Sequence, residues 1–449
     1  MSADCSPEVN LPVKIFRYPQ DRSGVETFFR RGPASDPETE QAVAAVIRRV
    51  RREGDRAVAA LTKQLDRAVV VPGRFEVPLS RLKAAWENLP SDLRKALRVA
   101  KSRIHEFHKR QLVSGFTYRD PLGNRMDQRV TPYRKAGIYV PGGTAAYPST
   151  VLMNAVPARV AGVEEIIMVT PPGRLNDPGG QATLGAAWLA RFDKVLAVSG
   201  APGIAALAIG TETIPRVDIV VGPGNRFIAA AKRLLYGEVD IDMIAGPTEI
   251  LVLADKTAPP RLVAADLLAQ AEHDADARAV AVLIGDYDLD ALRAEIREQT
   301  ARAPRAEIIR KSLRAKGALV QVETRDEAVE LAERQSPEHV EIMAEGARSL
   351  ASRIRNVGAI FIGRHTPEPM GDYIAGPNHT LPTGGTARFF SPLSVWSFLK
   401  TSHVVEFSRN GFESLAESVL TLAETEGLSA HAQAVRERLG RARLRRKRR

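Results

Sequence analysis

The chain has 449 residues, 44% apolar and 26% charged, an ordinary soluble globular balance with room for two to four domains. No apolar run reaches the ~18–20 residues that span a bilayer, and the start lacks the basic-then-apolar order of a signal peptide. The single cysteine, Cys5, excludes an internal disulfide framework and a thiolate zinc site, so a cytoplasmic setting is expected. The net charge is +11, but seven positive charges sit in the last nine residues, "RARLRRKRR". Without them the balance is +4, spread along the chain, so the tail reads as a solvated extension rather than a nucleic-acid arm.

An amphipathic helix is predicted over 38–62, broken at Gly54, and a second over about 90–113. From about 136 strands and helices alternate. "AGIYV" is a strand, followed by Gly142–Gly143 and the helix "STVLMNAVPARVAG". "EEIIMV", "KVLAVSG" and "VDIVVGPGN" are strands, with helices at "ATLGAAWLARF", "GIAALAIG" and "RFIAAAKRLL". A second alternating block, 248–363, has the strands "EILVLAD", "AVAVLIG", "ALVQVE", "HVEIMAE" and "AIFIG". Thr324 and Glu327 make a capping box before "AVELAERQ". Such alternation argues parallel sheets covered on both faces. Residues 364–395, rich in Gly, Pro and Thr, read as an ordered functional loop, and the last 50 residues as helical.

Five segments carry candidate chemistry. In "DLLAQAEHDAD" (266–276), Gln270 and His273 stand at i and i+3 and would share one side of a helix. "VVGPGNRF" is a strand, a Gly-x-Gly turn and a helix start, a place for phosphate, though Phe227 stands where the full dinucleotide fingerprint has its third glycine. "SPEHVE" puts Glu338 and His339 at a helix–strand junction, where they suit proton transfer. "MGDYIAGPNHTLPTGG" holds Asp372 and His379 in a rigid loop. "ETEGLSAHAQAV" has Ser429 as an N-cap and His431 in the first turn. Four of them also have a plainer reading: a hydrogen-bonded surface pair, a tight turn, a polar corner, a lone surface histidine. Of the eight histidines, His105, His108, His365 and His403 look ordinary, whereas His273, His339, His379 and His431 all fall in these segments.

Together these segments, with "VRREGDRAV", "GIYVPGGTAAYPSTVLMNAVPA" and "IDMIAGPTEILVLAD", occur in the order found in histidinol dehydrogenases, a family this chain closely resembles over about residues 25–437. The resemblance implies an α/β fold: two Rossmann-like parallel-sheet domains with small N- and C-terminal helical pieces, aldehyde-dehydrogenase-like. The implied division is 1–33 as an N-terminal segment and 34–137 with 248–393 as a first, metal-binding and catalytic domain. Residues 138–247 form an NAD-binding domain, 394–440 a helical dimerisation domain and 441–449 the tail.

The resemblance also implies zinc held by Gln270, His273, Asp372 and a partner-donated His431, with Glu338 and His339 as the catalytic acid–base pair. Substrate contacts match Thr248 and Glu426, with His379 near them and with the zinc ligands and His339 around the bound molecule. NAD contacts match Tyr139 and Asn225. Two departures stand out: Pro202 replaces a cofactor-contacting glutamine, and Thr248 stands where many members have serine, keeping the hydroxyl. The implied activity is the two-step, zinc-dependent oxidation of L-histidinol to L-histidine through the aldehyde, with two NAD, in a domain-swapped homodimer. An alternative is a paralogue acting on another primary alcohol, such as a sulfonated diol. Glu426 argues against that, because it suits a cationic amine.

Overall fold

A computed structural model describes residues 13–32, 36–142 and 147–439. Cys5, Gly143 and the basic tail lie outside the described residues. The chain divides into two compact units, Met1–Gln111 with Tyr133–Phe398, and Leu112–Pro132 with Leu399–Arg449.

The larger unit holds two wholly parallel sheets. The first runs Lys14–Arg17, Ala318–Val322, Arg278–Ile284, Glu249–Asp255, His339–Met343, Ala359–Ile362. The second runs Lys194–Ala197, Glu165–Thr170, Lys135–Tyr139, Ile219–Val221, Asp240–Ile241. Counted along the chain from Lys135 and from Glu249, both have the order 3-2-1-4-5, and Lys14–Arg17 adds an edge to the first. That is the order of nucleotide-binding halves, with a reversal between strands 1 and 4.

The strand "EILVLAD" shows why the sheet is buried on both faces. Leu251 and Leu253 face the helices Arg22–Phe29 and Arg325–Gln335. Ile250, Val252 and Ala254 face Pro260–Ala271, Leu289–Arg302 and Ala306–Lys316. Side chains alternate across a strand, so a continuous apolar run fills two cores at once. The predicted capping box forms: Thr324 Oγ1 accepts from Glu327 N, and the Glu327 carboxylate accepts from Thr324 N.

The structure adds three features to the division drawn from the sequence. The helices of 37–109 pack mainly on the helices that cover the second sheet. Pro37–Glu53 packs on Gly200–Ile209 and Arg226–Leu235, Leu79–Asn88 on Pro178–Ala190, and Ser91–Lys109 on Pro148–Ala161. Within 1–33, Lys14–Arg17 is a strand of the first sheet. The C-terminal piece is not wholly helical: Leu399–Glu406 pairs antiparallel with Arg125–Pro132, which pairs with Phe116–Arg119. These strands are mostly exposed, so they lack the polar–apolar alternation that betrays a half-buried strand. The helices Arg409–Thr425 and Ser429–Leu439 follow and pack together. Among the described residues, no helix is long and apolar enough to cross a membrane.

Candidate active site and metal centre

Two neighbouring strands of the first sheet, Glu249–Asp255 and His339–Met343, start side by side, with His339 level with Ile250. Thr248 and Glu338 immediately precede them. The helix Arg325–Gln335 ends at Ser336, in the left-handed region, and Pro337 leads into the second strand. Glu338 is thereby turned into the sheet edge and buried. One of its oxygens, Oε2, accepts from Thr248 Oγ1 at 2.5 Å and from Glu249 N at 3.0 Å. Thr248 Oγ1 in turn accepts from Gln270 Nε2 at 2.8 Å. This polarity fixes the Gln270 amide: its nitrogen faces the threonine, and its carbonyl oxygen Oε1 is buried without a hydrogen-bond partner among the described residues. A buried carbonyl left without a donor costs free energy and marks a position built for something else.

His339 is also buried. Its Nδ1 lies 3.2 Å from the Glu249 carbonyl, to which it donates, so the neutral ring presents an unprotonated Nε2. That Nε2 has no hydrogen-bond partner among the described residues and sits 3.8 Å from Glu368 Oε1. Burial lowers the His339 imidazole to about 4, against the opposing charge of Asp372. Burial also raises Glu338 well above the carboxylate range, against the hydrogen bonds from Thr248 and Glu249. At neutral pH the imidazole is therefore an available base, while burial favours the protonated form of the Glu338 carboxyl.

The helix Pro260–Ala271 ends between Gln270 and His273, so the two are not stacked on one helix as their spacing predicts. His273 lies in the turn beyond, its N–H bonded to Gln270 O at 3.3 Å, and is exposed. Donor atoms of His273, Glu368 and Asp372 lie within 4.8 Å of one another. Glu368 is the residue that sequence reasoning missed. It begins the short helix Glu368–Tyr373, four residues before Asp372, and that i, i+4 pairing of acids was the available signal. Burial, then the Asp372 charge and hydrogen bond, raises the Glu368 carboxyl to about 10, so without a metal it holds a proton beside Asp372. Glu341 accepts the Glu368 N–H and is itself raised by burial and by Asp266.

His379 donates from Nδ1 to the Asp372 carbonyl at 2.9 Å, and its Nε2 lies 3.4 Å from Thr150 Oγ1. It braces the segment that carries Asp372. The larger unit thus gathers Thr248, Gln270, His273, Glu338, His339, Asp372 and His379. Glu426 and His431 belong to the smaller unit, at the end of Arg409–Thr425 and in the first turn of Ser429–Leu439, and both are exposed.

In the second sheet, Tyr139 and the turn Gly222–Asn225 lie at the C-terminal ends of the two strands flanking the order reversal. Gly222 has φ +118°, and a Cβ there would lie 2.2 Å from the Tyr139 carbonyl. A Cβ on Gly224 would strike Ile228 at 2.5 Å. Both positions are open only to glycine, which leaves a backbone cradle at a helix start. Asn225 caps that helix: its Oδ1 accepts from Phe227 N at 3.0 Å and Ile228 N at 3.3 Å, which leaves the amide nitrogen for a ligand. Pro202 is buried in the first turn of Gly200–Ile209, where a missing N–H costs nothing.

Two parallel sheets and a buried histidine–glutamate pair, with oxygen and nitrogen donors beside it, define an α/β protein with a buried acid–base site. The family model described as histidinol dehydrogenase matches residues 29–439. The chain belongs to the histidinol dehydrogenase family. It is 49% identical over 407 residues to a histidinol dehydrogenase of Acinetobacter baylyi, covering 90% of this chain and 94% of that one. It is 47% identical over 414 residues to one of Aquifex aeolicus, covering 92% and 96%. The crystal structure of histidinol dehydrogenase from Elizabethkingia anophelis superposes with a TM-score of 0.87 at 32% identity, covering 95% of this chain and 98% of that one.

Proposed function

We propose that the chain oxidises L-histidinol to L-histidine through L-histidinaldehyde in histidine biosynthesis, with one zinc per subunit and two NAD per turnover. The observation that carries this is the group of donor atoms of His273, Glu368 and Asp372 within 4.8 Å of one another, together with Gln270 Oε1 and His339 Nε2, both buried without a hydrogen-bond partner among the described residues. Gln270, His273 and Asp372 would hold the metal, with His431 from the partner subunit as fourth ligand. One amide oxygen, one carboxylate and two imidazoles suit zinc. The Gly222–Asn225 cradle and Tyr139 would hold the dinucleotide. When bound, zinc would supply an anchor that orients the substrate, and NAD would supply the hydride acceptor for each oxidation.

The rest falls to the chain. His339 Nε2 takes the alcohol proton as the first hydride leaves. Glu338, as its carboxylate, takes a proton from water as the water oxygen adds to the aldehyde carbon. As the water adds, the protonated His339 gives its first proton to the former carbonyl oxygen, completing the gem-diol, and then takes a second proton from a gem-diol hydroxyl as the second hydride leaves. Glu426 would meet the substrate ammonium. The relatives bear the histidinol dehydrogenase name, so a sulfonated diol is not favoured as substrate.

The test is NADH formation on adding histidinol, with and without a chelator. The expected result is two NADH per histidinol, abolished by chelation and restored by zinc.

A homodimer with shared sites is part of this reading, supported by the exposed Val405, Phe407, Val419 and Leu422 of the smaller unit. Mixing inactive His339→Ala and His431→Ala chains is expected to restore part of the activity as hybrids form. Complete inactivity after verified subunit exchange would show that each site is built from one chain.

The two half-reactions should also differ in pH dependence. His339 is already an unprotonated base above about pH 4. Glu338, raised by burial, gains its carboxylate form only as pH climbs above the ordinary carboxylate range. Oxidation of supplied aldehyde is therefore expected to rise as pH climbs above the ordinary carboxylate range, while alcohol oxidation changes less. Parallel profiles would remove Glu338 from the hydration step.

A further inference from the structure

Lys232 is among the largest fully buried side chains of the protein. It stands on the helix Arg226–Leu235 among Ile228, Ala229, Ala231 and Leu235, all buried. A lysine on the apolar face of a helix requires a partner, because a lone buried ammonium is strongly disfavoured. The partner is Asp242, just past the strand Asp240–Ile241, and both side chains are 1% exposed.

The pair does more than neutralise itself. Gly222 lies beyond the end of the strand Ile219–Val221, so its peptide groups have no sheet ladder to join. Its N–H donates to Asp242 Oδ2 at 2.9 Å, and its carbonyl accepts from Lys232 Nζ at 3.0 Å. Asp242 is anchored in turn by accepting from Met243 N at 2.7 Å. Both bonds to Gly222 are charge-assisted and so stronger than ordinary ones. They grip the residue whose φ of +118° brings it against the Tyr139 carbonyl. Pro223 has no N–H, and those of Gly224 and Asn225 find no acceptor among the described residues.

We propose that Lys232 and Asp242 are positioning residues for the dinucleotide. Gripping Gly222 at both N–H and C=O, they lock the turn so that its free N–H groups and the Asn225 amide face the ligand beside Tyr139. This rests on the reading of that turn as the NAD cradle. The clamp touches no ligand itself, so its removal weakens cofactor binding and leaves the metal centre of the first sheet intact.

The experiment is calorimetric titration of the zinc-loaded dimer with NAD, with melting temperature and zinc content measured in parallel. The variants are Lys232→Met and the double variant Lys232→Met/Asp242→Leu. Replacing a buried ion pair by apolar residues is often neutral for stability, so the double variant is expected to fold. Both are expected to keep one zinc per subunit and the parental KM for histidinol. NAD binding should weaken by about 10- to 100-fold, the scale of a misplacement near 1 Å. A folded double variant that binds NAD with the parental constant would reduce the pair to a structural element. Lys232→Met, where Asp242 can take up a proton, is the second variant should the double one not fold, and parental binding there has the same meaning. A parental protein that itself binds no NAD would instead overturn the cradle reading, and the clamp with it.

Discussion

On the proposed reading, replacing Glu338 with glutamine is expected to lower the rate of acid formation from histidinaldehyde by about 10²–10⁴-fold, the usual loss of a general base. Alcohol oxidation is expected to fall much less. Glutamine keeps an oxygen that can accept from Thr248 and Glu249, so the geometry around the base survives and only the proton acceptor is lost. The measurement is a comparison of NADH formation from histidinol in single turnover and from supplied aldehyde. Equal losses in both would place Glu338 in substrate binding rather than in water activation. Many aldehyde oxidations avoid this need by forming a hemithioacetal on a cysteine thiolate. The only thiol here is Cys5, far in sequence from every candidate motif. Cys5→Ala is expected to leave both steps intact, and a trapped acyl adduct on Cys5 would overturn the hydration route.

His273→Ala is expected to remove zinc and activity together, with activity falling more than about 100-fold, beyond what supporting residues around a metal usually cost. His273 lies in an exposed turn past the helix end, so its loss leaves the core packing of Leu267 and Leu268 untouched. The protein should therefore fold with its parental melting behaviour while the metal assay reads empty. Stoichiometric zinc retained in both His273→Ala and His431→Ala would dismiss the proposed ligand set. Glu368→Gln distinguishes the remaining possibility. If Glu368 supports Asp372 as a protonated acid, glutamine replaces it with a modest loss of zinc affinity; if it is a ligand, the loss matches that of Asp372→Ala.

Much of the larger unit was legible because its signals are local. "EILVLAD" and "AVAVLIG" are apolar runs too short for anything but buried strands, and Gly54 marks a true helix break with φ +53°. The antiparallel strands of the smaller unit were not legible, because "LKTSHVVE" buries almost nothing and so carries no period. Which sheet the helices of 37–109 cover was also hidden, since an apolar stripe says that a helix packs and not against what. The candidate site was partly legible. Glu338, His339 and Asp372 stood out in unusual local settings, and family resemblance gave them roles. Glu368 did not, for a buried acid at the start of a helix looks like a surface acid until the sheet is folded over it. The link from Gln270 through Thr248 to Glu338 joins residues 22 and 90 apart in sequence and exists only in three dimensions.

The shared strand order of the two sheets has a kinetic consequence. In the first sheet the crevice at the reversal, between the ends of Glu249–Asp255 and His339–Met343, is filled from within. The Asp255 carboxylate accepts from Thr257 N at 2.9 Å, Thr257 Oγ1 at 2.6 Å and Glu345 N at 2.8 Å, tying the two loops together where a phosphate would otherwise sit. On the proposed reading the dinucleotide sits at the turn of the second sheet, and both hydrides leave through that one cradle. The first NADH must depart and a fresh NAD arrive while the half-oxidised molecule stays behind. The dwell time of the aldehyde must outlast a cofactor exchange, and a reactive carbonyl is kept out of solution between the two oxidations.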